Sequence, residues 1–166
     1  MALEKKRKRH APPPSQAEVE VLQAEAQHGD AASQFRLGKM YAEGRGVVKD
    51  EARAMALLQS AADQGIANAQ FHLGKMYAEG RGVAKNEAHA VKFFEKAAKQ
   101  GHADAQFRLA KMYAEGRGVA KDEARAMELL QSAAKQGHAI AQNHLNVMLL
   151  TSLMAENRHT VSDDED

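Results

Sequence analysis

The chain has 166 residues with 23 Lys and Arg against 22 Asp and Glu, a formal net charge of +1, and that length fits one compact domain or one short repeat array. It contains no cysteine, which excludes disulfides and thiolate metal sites. The opening residues MALEKKRKRH put charge where a secretory signal needs an apolar stretch, and no run approaches the ~18 apolar residues of a membrane span, so an intracellular, non-secreted protein is expected.

The near-zero net charge conceals two opposite tails. Residues 1–14 carry Lys5, Lys6, Arg7, Lys8 and Arg9 against Glu4 and close on Pro12, Pro13 and Pro14. They are expected to form a disordered basic arm. The run KKRKR resembles a monopartite nuclear import signal, which would place the protein in the nucleus or in nucleus and cytoplasm. The same charges suit nucleic acid or anionic lipid, and a plain solubilising tail has the same composition. Residues 15–30 read as a capping helix: they follow the pattern of the second helices further on, with Glu18 and Glu25 where the internal units have alanine.

Residues 31–138 are three units, 31–66, 67–102 and 103–138. The string KMYAEGRGV recurs at Lys39, Lys75 and Lys111, 36 residues apart each time, and a fixed period of this size marks an array of one helical unit. In the first half of a unit Ala69, Leu73, Met76 and Tyr77 lie at i, i+4, i+7 and i+8, one face of a helix; in the second half Ala54, Leu57, Leu58 and Ala61 repeat that spacing. Gly80 suits the left-handed residue that ends a helix, and Gly82 allows a second tight turn. Asp50, Asn86 and Asp122 then cap the second helix, each followed by a glutamate. Gly65, Gly101 and Gly137 close it. Gly38 and Gly74 sit inside the first helix, where glycine costs about 1 kcal/mol against alanine; close approach of a neighbouring helix is the expected compensation, with Ala110 as the third unit's version.

Beyond the third unit, Ala141, Leu145 and Met148 restart a first helix, so residues 139–156 are expected to be a C-terminal capping helix. Leu149, Leu150, Leu153 and Met154 either cover the last unit or expose a patch for a homodimer or a partner helix. Residues 157–166 are an acidic, disordered tail, in which Ser162 before Asp163, Asp164, Glu165 and Asp166 is a candidate phosphosite for an acidophilic kinase.

The order Leu73-Gly74, Tyr77, Gly80, Gly82-Val83, Ala90, Ala97-Ala98, Gly101 resembles the Sel-1-like repeat family. The resemblance implies an all-α, right-handed αα-superhelix of antiparallel helix pairs, similar to tetratricopeptide arrays, and a non-enzymatic role as an adaptor that binds another protein. The chain departs from the family pattern at Ala110, and at Leu57, Phe93 and Leu129, where the family often has an aromatic such as tryptophan. It lacks the cysteines of the disulfide-bearing relatives for which a hydrolase activity has been proposed, and it shows no nucleophile constellation.

If the first helices line a concave groove, one exposed stripe per unit faces a partner: Phe35, Lys39 and Glu43; Phe71, Lys75 and Glu79; Phe107, Lys111 and Glu115. Phenylalanine can bury an apolar side chain and lysine can hold a carboxylate or phosphate; solvated helix surface is the competing reading of the same residues. The eight histidines are scattered and show no metal-ligand spacing, and neither a phosphate loop nor a dinucleotide fingerprint occurs, so neither metal nor cofactor is expected. A peptide or helix in the groove is the expected partner, with nucleic acid on the basic arm secondary.

Overall fold

A computed structural model of the chain describes residues 12–160, with side chains through Asn157. The described residues form eight helices and no strand: α1 (Gln16–Gln27), α2 (Ala31–Glu43), α3 (Glu51–Asp63), α4 (Ala67–Glu79), α5 (Glu87–Lys99), α6 (Ala103–Glu115), α7 (Glu123–Lys135) and α8 (Ala139–Thr160). Each helix packs on its neighbours in sequence, α2 with α3, α4 with α5 and α6 with α7 as pairs, and α3 on α4 and α5 on α6 between pairs. This is the solenoid of antiparallel helix pairs that the 36-residue period implies. α8 runs to Thr160, past the bound of 156 set by its apolar pattern.

The turn chemistry of each unit is reproduced. Gly80 takes a left-handed conformation (φ 68°) and its amide donates to the carbonyl of Met76. The backbone amides of Asp50, Asn86 and Asp122 donate to the carbonyls of Tyr41, Tyr77 and Tyr113 at 2.8–2.9 Å, which fixes where the second helix starts. Their side chains then accept from the amides of Arg53, His89 and Arg125 as N-caps.

The second glycine of each loop has a larger role than a tight turn. A Cβ on Gly118 would lie 2.5 Å from the backbone of Glu87, and one on Gly82 2.8 Å from Cβ of Glu51. Both contacts reach the preceding unit, so this glycine sets how closely the loops stack. Arg81 and Arg117 extend the same contact, pairing with Glu51 at 3.9 Å and with Glu87 at 2.6 Å. At the start of the array Gly46 stands against the ring of Pro14, and Arg45 donates to the carbonyl of Pro12. Residues assigned from sequence to the basic arm thus pack where a preceding unit would otherwise sit.

The core is built largely of alanine. Ala54, Ala61, Ala69, Ala90, Ala97, Ala105, Ala126 and Ala133 are fully buried, and such small residues let the helices approach closely. Gly38 faces Leu58 and Gly74 faces Phe94, so the helix-interior glycines lie under the largest fully buried side chains of the paired helix. Ala110 and Leu130 share the third unit's core. A buried glutamine ties three helices in every unit. Gln70 donates to the carbonyl of Ala62 at 3.2 Å and accepts from Gln100 at 2.8 Å. Gln34 with Gln64, and Gln106 with Gln136, repeat the arrangement.

Candidate functional site

Phe35, Phe71 and Phe107, on α2, α4 and α6, are all half-buried and lie along one face of the array. They are joined by residues that the Phe–Lys–Glu stripe omits. His72 lies between Phe35 and Phe71, with ring centroids 5.7 and 5.9 Å away. The guanidinium of Arg108 is 5.9 Å above Phe71, and His144 meets Phe107 at 5.3 Å. Arg36, His72, Arg108 and His144 each stand one repeat period apart, directly after the stripe's aromatic position. That adjacency was the available signal. A shallow recess of about 320 Å³ spans α4, α6 and α8, lined by Phe71, Lys75, Asp104, Phe107, Arg108, His138 and Ile140.

The lysines and glutamates of the stripe, alike in the sequence, have different surroundings. The ammonium groups of Lys39 and Lys75 sit 5.8 Å above the rings of Phe35 and Phe71. Among the described residues no carboxylate lies within ion-pair distance of Lys39, Lys75 or Lys111. Glu79 and Glu115, by contrast, pair with the loop arginines Arg81 at 3.7 Å and Arg117 at 3.3 Å. Glu43 lines a recess of about 430 Å³ with Phe35, Lys39, Arg45 and Pro12–Pro14. Glu79 and Glu115 are drawn toward the loops, and Lys39, Lys75 and Lys111 are left without an ion-pair partner among the described residues.

The histidines of this face are structural as well as aromatic. His102 is the N-cap of α6: its Nδ1 accepts from the amide of Ala105 at 3.2 Å, which leaves Nε2 to donate to Oδ1 of Asn68 at 2.9 Å. His138 does the same for α8, with the amide of Ala141 and with Asp104 at the start of α6. Phe71 stacks on His102 with centroids 4.6 Å apart. Burial holds the pKa of His102 below its ordinary value, partly opposed by Asp104. His72 is pushed down to about 4, first by burial and then by the charges of Lys75 and Lys39. A repeat position that looked incidental in the sequence is therefore a cap and an inter-unit bridge.

Lys5, Lys6, Arg7, Lys8, Arg9 and Ser162 lie outside the described residues. Among the described residues no cluster of His, Asp and Glu could hold a metal ion, and no helix is long and apolar enough to cross a membrane.

The family model for the Sel1 repeat matches residues 31–66, 67–102 and 103–138. A Sel1 repeat protein of Oxalobacter formigenes has a similar structure, with 39% identity and a TM-score of 0.73 over 78% of this chain and 97% of that one. The uropathogenic Escherichia coli protective antigen c5321, described as displaying an SLR fold, is 35% identical with a TM-score of 0.79. That alignment covers 81% of this chain, which spans 29% of the antigen's. Cysteine-rich protein B of Helicobacter pylori, at 22% identity and a TM-score of 0.62 over 76% of this chain and 96% of that one, shares the fold. No curated protein matches the chain. With three consecutive matches covering most of its length, the chain belongs to the Sel1 repeat family.

Proposed function

We propose that this protein is an adaptor whose α2–α4–α6–α8 face binds an acidic segment of another protein, as an extended peptide or a helix. Sel1 repeats generally serve as protein-interaction scaffolds, and a solenoid offers an extended surface rather than an enclosed pocket. The observation that supports the acidic partner is the row Lys39, Lys75 and Lys111, each without a carboxylate partner among the described residues and each one turn from a half-buried phenylalanine. A carboxylate meeting such a lysine gains an ion pair without displacing an existing one, while apolar side chains lie beside the rings.

The test is a peptide-display selection on the intact protein, followed by the same selection on a Lys39→Glu/Lys75→Glu/Lys111→Glu variant. Acidic peptides that bind the wild type and are lost by the variant support the reading; the same peptides recovered from both would sink it. The basic run Lys5–Arg9 supports a second reading, attachment to nucleic acid. That predicts oligonucleotide binding that weakens steeply with salt and disappears when residues 5–9 are deleted.

A further inference from the structure

We infer that the outward face of α8 is a self-association surface on which a second copy of this chain docks its own α8, antiparallel. α8 has 22 residues where α2, α4 and α6 have 13. Its inner face is used up by Ala141 and Leu145, which are buried, and Met148, which is half-buried against the preceding pair. The remaining apolar residues of α8 stay largely exposed. Ile140, Val147, Leu149, Leu150, Leu153 and Met154 are between 39% and 64% exposed, and they are six of the eight large exposed hydrophobic side chains among the described residues. No Asp, Glu, Lys or Arg occurs from residue 139 to residue 155. Among them Val147, Leu150, Leu153 and Met154 form one contiguous stripe without a charge, the kind of exposed apolar patch that marks an interaction site.

What covers this face follows from the repeat geometry. A further Sel1-type second helix is excluded by Asn146, which stands where the units have Gly38, Gly74 and Ala110. Even a bare Cβ there would lie 3.0 Å from Leu58 or 2.6 Å from the ring of Phe94 in the first two units. A whole asparagine side chain holds a helix beyond that approach. Head-to-tail stacking on α1 of another copy is opposed by Pro12–Pro14, which already pack on Gly46 and Arg45 where a preceding unit would sit, and by Glu18, which stands at the position of Ala54 and would be desolvated there. The pairing left within this chain is α8 on α8, a two-fold contact in which one patch meets its own copy. Val147, Leu150 and Met154 lie at i, i+3 and i+7 with Leu153 beside them, one face of the helix. An antiparallel crossing at Leu150 sets Val147 of one copy against Leu153 of the other.

Light scattering on the full chain over a concentration series tests this. The wild type is expected to have the mass of two chains at high concentration and to approach one on dilution. Leu150→Lys, at an exposed position, should give one chain throughout with unchanged helical signal and melting. Because the chain has no cysteine, Leu150→Cys gives a second, independent reading. Oxidised glutathione should link two Leu150→Cys chains and leave a Val48→Cys control unlinked. A one-chain mass at every concentration, a dimer indifferent to Leu150→Lys, or equal linking of both cysteine variants would overturn the proposal. So would a different protein that occupies this face, lost with Leu150→Lys, while the chain alone stays single.

Discussion

Gly74 and Phe94 are a matched pair: a Cβ added to Gly74 would stand 2.6 Å from two carbons of the Phe94 ring, which is almost wholly buried. Helix propensity alone favours Gly74→Ala by about 1 kcal/mol. The clash runs the other way, since overpacking a closed core costs about 1–3 kcal/mol. Gly74→Ala should therefore lower the melting temperature, and Gly74→Leu should lower or broaden the transition further. Phe94→Leu introduced beside Gly74→Ala should restore most of the loss, because the third unit already combines Ala110 with Leu130. Additive losses in a double-mutant thermal melt would break the pairing argument.

Gln70 is buried and joins α4 to the end of α3 through the Ala62 carbonyl and to the end of α5 through Gln100. Gln70→Leu keeps the volume and removes the side-chain donor to that carbonyl, which retains the amide of Gly65 at 3.0 Å, so the loss should be about 0.5–1.5 kcal/mol. Chemical denaturation should show it as a lower midpoint. Gln100→Ala removes the exposed end of the same chain and should cost much less. Equal losses would mean that the bond between the two glutamines, and not the buried carbonyl, is what matters.

The helix pairs, their caps and their turns were legible because each depends on residues near one another in sequence and repeats every 36 positions. The stripe was legible in its residue types and not in its electrostatics. Whether Glu79 balances Lys75 or Arg81 depends on how the loop folds back, and sequence spacing along one helix favours the wrong neighbour. His102 was passed over for the same reason: its two partners are three residues ahead at Ala105 and 34 residues behind at Asn68. Likewise the second loop glycine reads as a local turn until the preceding unit is placed against it.

Acid should loosen this array before its carboxylates titrate. His72 has an ordinary value of 6.5 in the unfolded chain and about 4 in the fold, and His102 is displaced the same way. As pH falls below about 6.5 the unfolded chain takes up protons that the fold refuses, so stability falls toward pH 4 and this contribution then levels off. Glu18, Asp30, Glu51 and Glu87, held below the ordinary carboxylate values by hydrogen bonds and neighbouring cations, withdraw their stabilisation only at lower pH. For His102 the capping geometry adds to the effect, because a proton on Nδ1 would face the amide that Nδ1 now accepts from. Thermal melts from pH 7 to pH 4.5 should show a decline that His72→Gln reduces; an unchanged slope in that variant would remove His72 as a contributor.

The ion pairs of the loop arginines give a way to alter the proposed binding face without touching its lysines. Arg81 and Arg117 hold Glu79 and Glu115, and each also reaches the preceding unit at Glu51 or Glu87. These pairs are exposed and should contribute no more than about 1 kcal/mol each to stability. Their effect on recognition should be larger. Arg81→Ala with Arg117→Ala releases two carboxylates one turn from Lys75 and Lys111, where they can swing back and compete with an acidic ligand. The double variant should stay folded, melt within a few degrees of the wild type, and bind acidic peptides several-fold more weakly at low salt, with the difference shrinking as salt is raised. Adding Glu79→Gln and Glu115→Gln should return the affinity, because the competing charges are gone while the lysines remain. If the quadruple variant stays weak, the arginines themselves contact the peptide, and the binding face extends from the first helices onto the loops.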